Sequence, residues 1–201
     1  MVAYYVVTKG NHPFGSIKRR LYNMLHGNPV GLEEIKDPEL KDLLSWMLQL
    51  KPELRPSAND ALKHPYLKSN NDKFDLLCDV RSQLDTEIPN LNHPLYEDVR
   101  EQVNGLKNWK DRVDFKTSNK VKKEDYESTW LGCLTFLQNF HQHWQDESCP
   151  HLSQKEGSYK EYFVKVFPEL PLLVNRIVRL WDWKSRLDVR KHFTCKQQLS
   201  K

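Results

Sequence analysis

Residues 125–144 read DYESTWLGCLTFLQNFHQHW, and this stretch decides the fold. From Thr129 onward Trp130, Leu134, Leu137, Phe140 and Trp144 recur at steps of three and four, the stripe of an amphipathic helix packed on a core. ESCPHLSQKEGS at 147–158 then breaks the period. Beyond the break, Tyr159, Tyr162, Phe163 and Val166 form a second stripe before Pro168. Pro171 can open a third helix running to about Trp181, because proline is tolerated at a first helical position.

The same period runs toward the N-terminus. Residues 94–106 place Leu95, Val99, Val103 and Leu106 on one face, and residues 73–86 do so with Phe74, Leu77, Val80 and Leu84. ELKDLLSWMLQL at 39–50 has Leu40, Leu43, Leu44, Met47 and Leu48 on one side, and Pro52 ends it. In RPSANDALKHPYL, Ser57 caps the next helix with Asp60 three residues on, and Pro65 stops it. Residues 2–8 are an apolar run closed by NHPFG. Residues 107–125 are charged, with Trp109, Val113, Phe115 and Val121 as apolar anchors of a loop. The fold class expected is all-α.

Composition agrees. The 201 residues are 38% hydrophobic and 11% aromatic, enough to bury a core, and the mean hydropathy of −0.75 is that of a water-exposed chain. No apolar stretch approaches the roughly 20 residues of a membrane helix. The start MVAYYVVTKG lacks the features of a signal peptide, and Val2 rules out myristoylation, so a cytoplasmic location is expected. Cys78, Cys133, Cys149 and Cys195 are scattered, which predicts free thiols. The net charge of +4 is unevenly spread. Residues 107–123 carry seven Lys/Arg against two Asp, and residues 176–201 eight against two, so the basic surface belongs to the C-terminal half and suits a polyanion such as RNA.

An apolar helix, GNHPFG, and a helix ending in LKPELRPSANDALKHPYL is an order similar to the last third of a protein-kinase C-lobe. The elements of phosphoryl transfer are absent from it: there is no Gly-rich loop, no strand lysine, no HRD loop and no DFG. Kinase activity and ATP binding are therefore not expected of this chain. Arg55, of the Arg-Pro pair, pairs in intact kinases with a glutamate that has no counterpart here, which predicts an arginine without that partner. The abrupt start inside a kinase-like helix is expected of a chain lacking an N-terminal half.

The kinase-like stretch passes through HPYLKSNNDKFDLLCDVRSQLD into a helical extension. That extension resembles the KEN nuclease domain of the Ire-type kinase/endoribonucleases and ribonuclease L. The matching pieces are Asn108-Trp109, DYESTWLGCLTFLQN at 125–139, His143, EYFVKVFPELP at 161–171 and VRKHF at 189–193. The resemblance implies two domains, a truncated kinase C-lobe over 1–68 packed on a KEN domain over 69–201.

Metal-free RNA cleavage needs a base for the ribose 2′-hydroxyl, an acid for the leaving oxygen, and donors for the phosphorane charge. The resemblance places the acid at His143, the base at Tyr126, and phosphate donors at Asn139 and the preceding Gln138. It sets Trp109 in the wall of the cleft. Asn139 and His143, four apart, share a face if the helix continues. Two positions depart from the family, Gln138 where it has an arginine and Gly132 where ribonuclease L has an aspartate. The neutral amide at 138 loses a charged fork, and a comparable donor is worth roughly 100- to 1000-fold in rate. Two functions follow: a KEN-type endoribonuclease, weakened at these positions, or an inactive KEN module for dimerisation or RNA binding. The partners implied are RNA and a second copy or full-length relative. No cofactor or metal is expected; His141, His143, Cys149 and His151 lack the paired spacing of a zinc site.

Overall fold

The computed structural model describes residues 1–87, 106–114, 121–144, 159–180 and 192. Every regular element among them is helical: α1 Val2–Val7, α2 Ile17–Leu25, α3 Pro38–Met47, α4 Ala58–Ala61, α5 Asn70–Glu87, α6 Trp109–Arg112, α7 Trp130–Gln142, α8 Tyr159–Val166 and α9 Glu169–Leu180, with short 3-10 turns between. The helix expected over 94–106 lies, save for Leu106, outside the described residues, as do Phe115 and the VRKHF motif apart from His192. The chain divides into two compact units, Met1–Leu67 and Lys68–Lys201.

The first unit closes over Tyr4, Phe14, Leu32, Leu44 and Leu48. Tyr4 is the pivot: its hydroxyl donates to the Gly31 carbonyl at 2.9 Å. A Cβ at Gly31 would stand 2.3 Å from the Tyr4 hydroxyl, so only glycine lets the two meet. Asp37 caps α3 by accepting the N–H groups of Glu39 and Leu40 at 2.9 and 3.0 Å, with Pro38 at the first helical position. Ser57 caps α4 as its spacing predicts, accepting the Asp60 N–H at 3.1 Å. That helix is a single turn, however, and ends at Ala61, before Pro65 is reached. Arg55 has its own partners: Nε donates to the Gln49 carbonyl at 2.7 Å and a terminal nitrogen to the Leu50 carbonyl at 3.2 Å. It thus ties down two carbonyls of the segment that follows α3.

The second unit is built around α5, which packs against α7, α8 and α9. It begins three residues earlier than the apolar period suggests, because Ser69 accepts the Asp72 N–H at 3.2 Å and starts the helix there. Phe136 of α7 is fully buried in a ring cluster, with centroids of Trp109 at 5.1 Å, Tyr126 at 5.6 Å, Phe140 and Phe163 at 5.9 Å. Truncating such a residue to alanine costs about 3–5 kcal/mol. Helices α8 and α9 meet at Phe167-Pro168, where Leu170 N–H donates to the Phe167 carbonyl, so Pro171 falls third in its helix rather than first. Arg112 of α6 locks this corner by donating to the Glu169 carboxylate and the Val166 carbonyl while its guanidinium lies 4.9 Å from the Phe167 ring centre. No described helix is long and apolar enough to cross a membrane.

Candidate functional site

Helix α7 is buried along Trp130, Cys133, Leu134, Phe136, Leu137 and Phe140. What remains is a polar strip: Thr135, Gln138 and Asn139 half-buried, Gln142 and His143 exposed. At about 100° per residue, Gln138, Thr135, Asn139 and His143 lie at roughly −60°, 0°, +40° and +80° around the axis. The strip exists because the helix starts at a fixed point, where the Thr129 hydroxyl accepts the Gly132 N–H at 3.0 Å.

Tyr126 and Asn139 meet. The Asn139 side-chain N–H donates to the Tyr126 hydroxyl at 2.9 Å. With its oxygen accepting that bond, the phenol turns its own O–H away from Asn139. His143 lies one turn beyond Asn139 as the C-cap of α7, its backbone N–H donating to the Asn139 carbonyl at 3.0 Å and its side chain exposed. The helix therefore ends at Gln142, short of the expected Trp144.

Tyr126 reaches Asn139 because the chain just after it is clamped. The Glu127 carbonyl accepts the Trp109 indole N–H at 2.9 Å. It also passes so close to α7 that a Cβ on Gly132 would stand 2.1 Å from its oxygen. Position 132 consequently has no room for a carboxylate side chain along this path. Trp109 itself is 0% exposed, between Phe136 and Phe167, and presents no ring face to a ligand. Its place is behind the Tyr126 segment rather than in an open cleft wall.

Gln138 faces the opposite flank of the strip, where its side-chain amide donates to the Ser82 hydroxyl of α5 at 2.6 Å. Beside it, Arg81 Nε donates to the Thr135 hydroxyl at 2.7 Å. Neither Arg81, Ser82 nor Thr135 stands out in sequence; the i, i+4 spacing of Thr135 and Asn139 is the one local sign that 135 shares the face.

His141 leaves the strip and turns to Tyr159, whose hydroxyl lies 2.6 Å from its Nδ1. Burial pushes the Tyr159 hydroxyl up to about 12, with Cys78 and Asp75 adding to the effect. Burial likewise raises the Cys133 thiol far above the ordinary range. Among the described residues no three His, Cys, Asp or Glu side chains gather as a metal site; Cys149 and His151 lie outside them.

No family model matches the chain. It is 30% identical over 207 aligned residues to the serine/threonine-protein kinase/endoribonuclease IRE1 of Hypocrea jecorina, covering 96% of this chain and 17% of that protein. To the human serine/threonine-protein kinase/endoribonuclease IRE2 it is 29% identical, covering 89% and 20%. To the 2-5A-dependent ribonuclease of Mus musculus it is 22% identical, covering 94% and 26%. The chain thus spans about a sixth to a quarter of the length of these relatives. Over most of its length it is a distant homologue of a segment of the Ire-type kinase/endoribonucleases and of the 2-5A-dependent ribonuclease.

Proposed function

We propose that the unit beginning at Lys68 is a KEN-type endoribonuclease module that cleaves single-stranded or stem-loop RNA without a metal, in a cytoplasmic setting. The Tyr126–Asn139 hydrogen bond carries this reading, since it brings a phenol and an amide together one turn from an exposed imidazole. Tyr126, once ionised to the phenolate, takes the proton of the ribose 2′-hydroxyl, and the freed oxygen attacks the adjacent phosphorus. Asn139 donates to the phosphorane, and His143 protonates the departing 5′-oxygen. The products are a 2′,3′-cyclic phosphate and a 5′-hydroxyl. Two copies, or one copy with a longer relative, form the working assembly, and ATP takes no part.

The engagement of Gln138 with Ser82 favours a second reading, a module that holds RNA or dimerises without cutting. A stem-loop RNA incubated with the protein in EDTA separates the two. Fragments ending in a cyclic phosphate, identified by mass, support the nuclease; intact RNA retained by the protein supports the binding module.

A further inference from the structure

His143 stands where α7 ends, and helix ends fray unless something beyond the helix holds them. One tie is its backbone N–H bond to the Asn139 carbonyl at 3.0 Å. The residues on either side of it are held as well, and by a single side chain. Before it, His141 Nδ1 lies 2.6 Å from the Tyr159 hydroxyl. After it, the Trp144 ring stacks on the Tyr159 ring, with centroids 4.3 Å apart and planes inclined by 30°. Tyr159 opens α8 and is itself set against the core. Its ring meets Phe74 of α5 edge-on at 5.7 Å and Phe140 of α7 at 6.0 Å, both fully buried. Phe140 closes the group, 5.5 Å from Trp144. The chain is thus fastened to one ring two residues before His143 and one residue after it.

We propose that Tyr159 is a positioning residue for RNA cleavage: its hydroxyl on His141 and its ring against Trp144 fix the chain on both sides of His143, and so set where that imidazole stands one turn beyond Asn139. The role rests on His143 being the acid of the reaction proposed above. A proton donor at the departing 5′-oxygen is sensitive to its placement, since about 1 Å of displacement can cost roughly 100-fold in rate. Burial pushes the Tyr159 hydroxyl up to about 12, so near neutral pH the group that holds His141 stays uncharged. A structural role alone, tying α8 to α7, predicts a loss of stability and no change in the turnover of the folded protein.

The test uses the full chain and an unmodified stem-loop RNA in EDTA, with kcat and KM measured separately. Tyr159→Phe removes the hydroxyl and keeps the ring; it is expected to lower kcat on the order of tenfold and to leave KM within about twofold. Trp144→Leu removes the stack and keeps the hydroxyl; the same split is expected, and it reports even if Tyr159→Phe folds poorly. Tyr162→Phe is the control, deleting the other buried hydroxyl of α8, which donates to the Asp114 carboxylate at 2.6 Å, and it is expected to keep the wild-type kcat. Because Tyr159 acts through His143, adding Tyr159→Phe to His143→Ala is expected to slow the residual reaction by less than about twofold. Solvent exchange of the His143 amide hydrogen, which requires opening its bond to Asn139, is expected to speed up on the order of tenfold in Tyr159→Phe. A folded Tyr159→Phe with wild-type kcat or wild-type His143 exchange overturns the role of Tyr159 and leaves the nuclease standing. So does an equal loss of kcat in Tyr162→Phe, or a full tenfold loss in the His143→Ala background. No cleavage by wild type overturns the nuclease reading, and this role with it.

Discussion

The indole of Trp109 and the carbonyl of Glu127 are joined by a 2.9 Å hydrogen bond, and that bond places Tyr126. On its other side the Glu127 carbonyl lies where any Cβ of residue 132 would be. A carbonyl pinned between an indole and a glycine cannot shift without carrying the phenol with it. Gly132→Ala is therefore expected to destabilise the second unit by about 1–3 kcal/mol, as overpacking does, and to reduce RNA cleavage beyond what partial unfolding explains. Urea unfolding beside an activity measurement at a temperature where both proteins are folded checks it. Trp109→Phe, which leaves the carbonyl unpaired, is expected to cost about 1–3 kcal/mol.

Tyr126→Phe and His143→Ala should separate chemistry from folding. Tyr126 is half-buried and loses one hydrogen bond, a change of about 1 kcal/mol. His143 is exposed at a helix end, where substitutions usually stay within about 0.5 kcal/mol. Each is nonetheless expected to lower the cleavage rate on the order of 100-fold or more, the scale of a general acid or base. Melting temperatures close to wild type with lost turnover are the predicted pair of results.

Gln138→Arg places a charged fork at the edge of the strip and gives up the 2.6 Å bond to Ser82. The lost bond is expected to cost about 0.5–1.5 kcal/mol of stability, and the added charge to raise RNA affinity at low salt. A salt titration of binding, compared with the unfolding midpoint, reads both effects.

Tyr159 gives a pH prediction whose sign is fixed by burial. Its hydroxyl ionises near 12 in the folded protein against 10.0 when unfolded. The unfolded chain therefore loses this proton first, so the contribution is fully present below pH 10 and is lost as pH rises toward 12. Tyr159→Phe is expected to flatten the fall in stability over that window, measured by unfolding at pH 9, 10.5 and 11.5. The raised Cys133 thiol predicts, in the same spirit, that Cys133 resists alkylation at pH 8 until the protein is unfolded by urea.

Much of the second unit was legible from its sequence because its helices are amphipathic and capped. The stripe from Trp130 to Phe140, started by Thr129, is the observed α7 almost to the residue, and in the first unit Ser57 and Asp60 likewise form the cap their spacing announces. Helix ends were less legible. Pro171 is a permissible opener, but the Phe167 carbonyl takes the Leu170 N–H and starts the helix at Glu169. The site was legible along one helix only. Asn139 and His143 share a face by local spacing, whereas the burial of Trp109, the close passage of Glu127 over Gly132 and the arrival of Arg81 at Thr135 depend on chain segments brought together by tertiary packing. No window of sequence contains those partners.

Metal-free cleavage by Tyr126 and His143 is tested by a time course on a stem-loop RNA in EDTA at several protein concentrations, run in parallel for wild type, His143→Ala and Tyr126→Phe. Wild type is expected to cleave at a rate that rises with protein concentration and to leave a cyclic phosphate, and both variants are expected to leave the RNA intact. Intact RNA at every wild-type concentration, or cleavage unchanged by both substitutions, would contradict it.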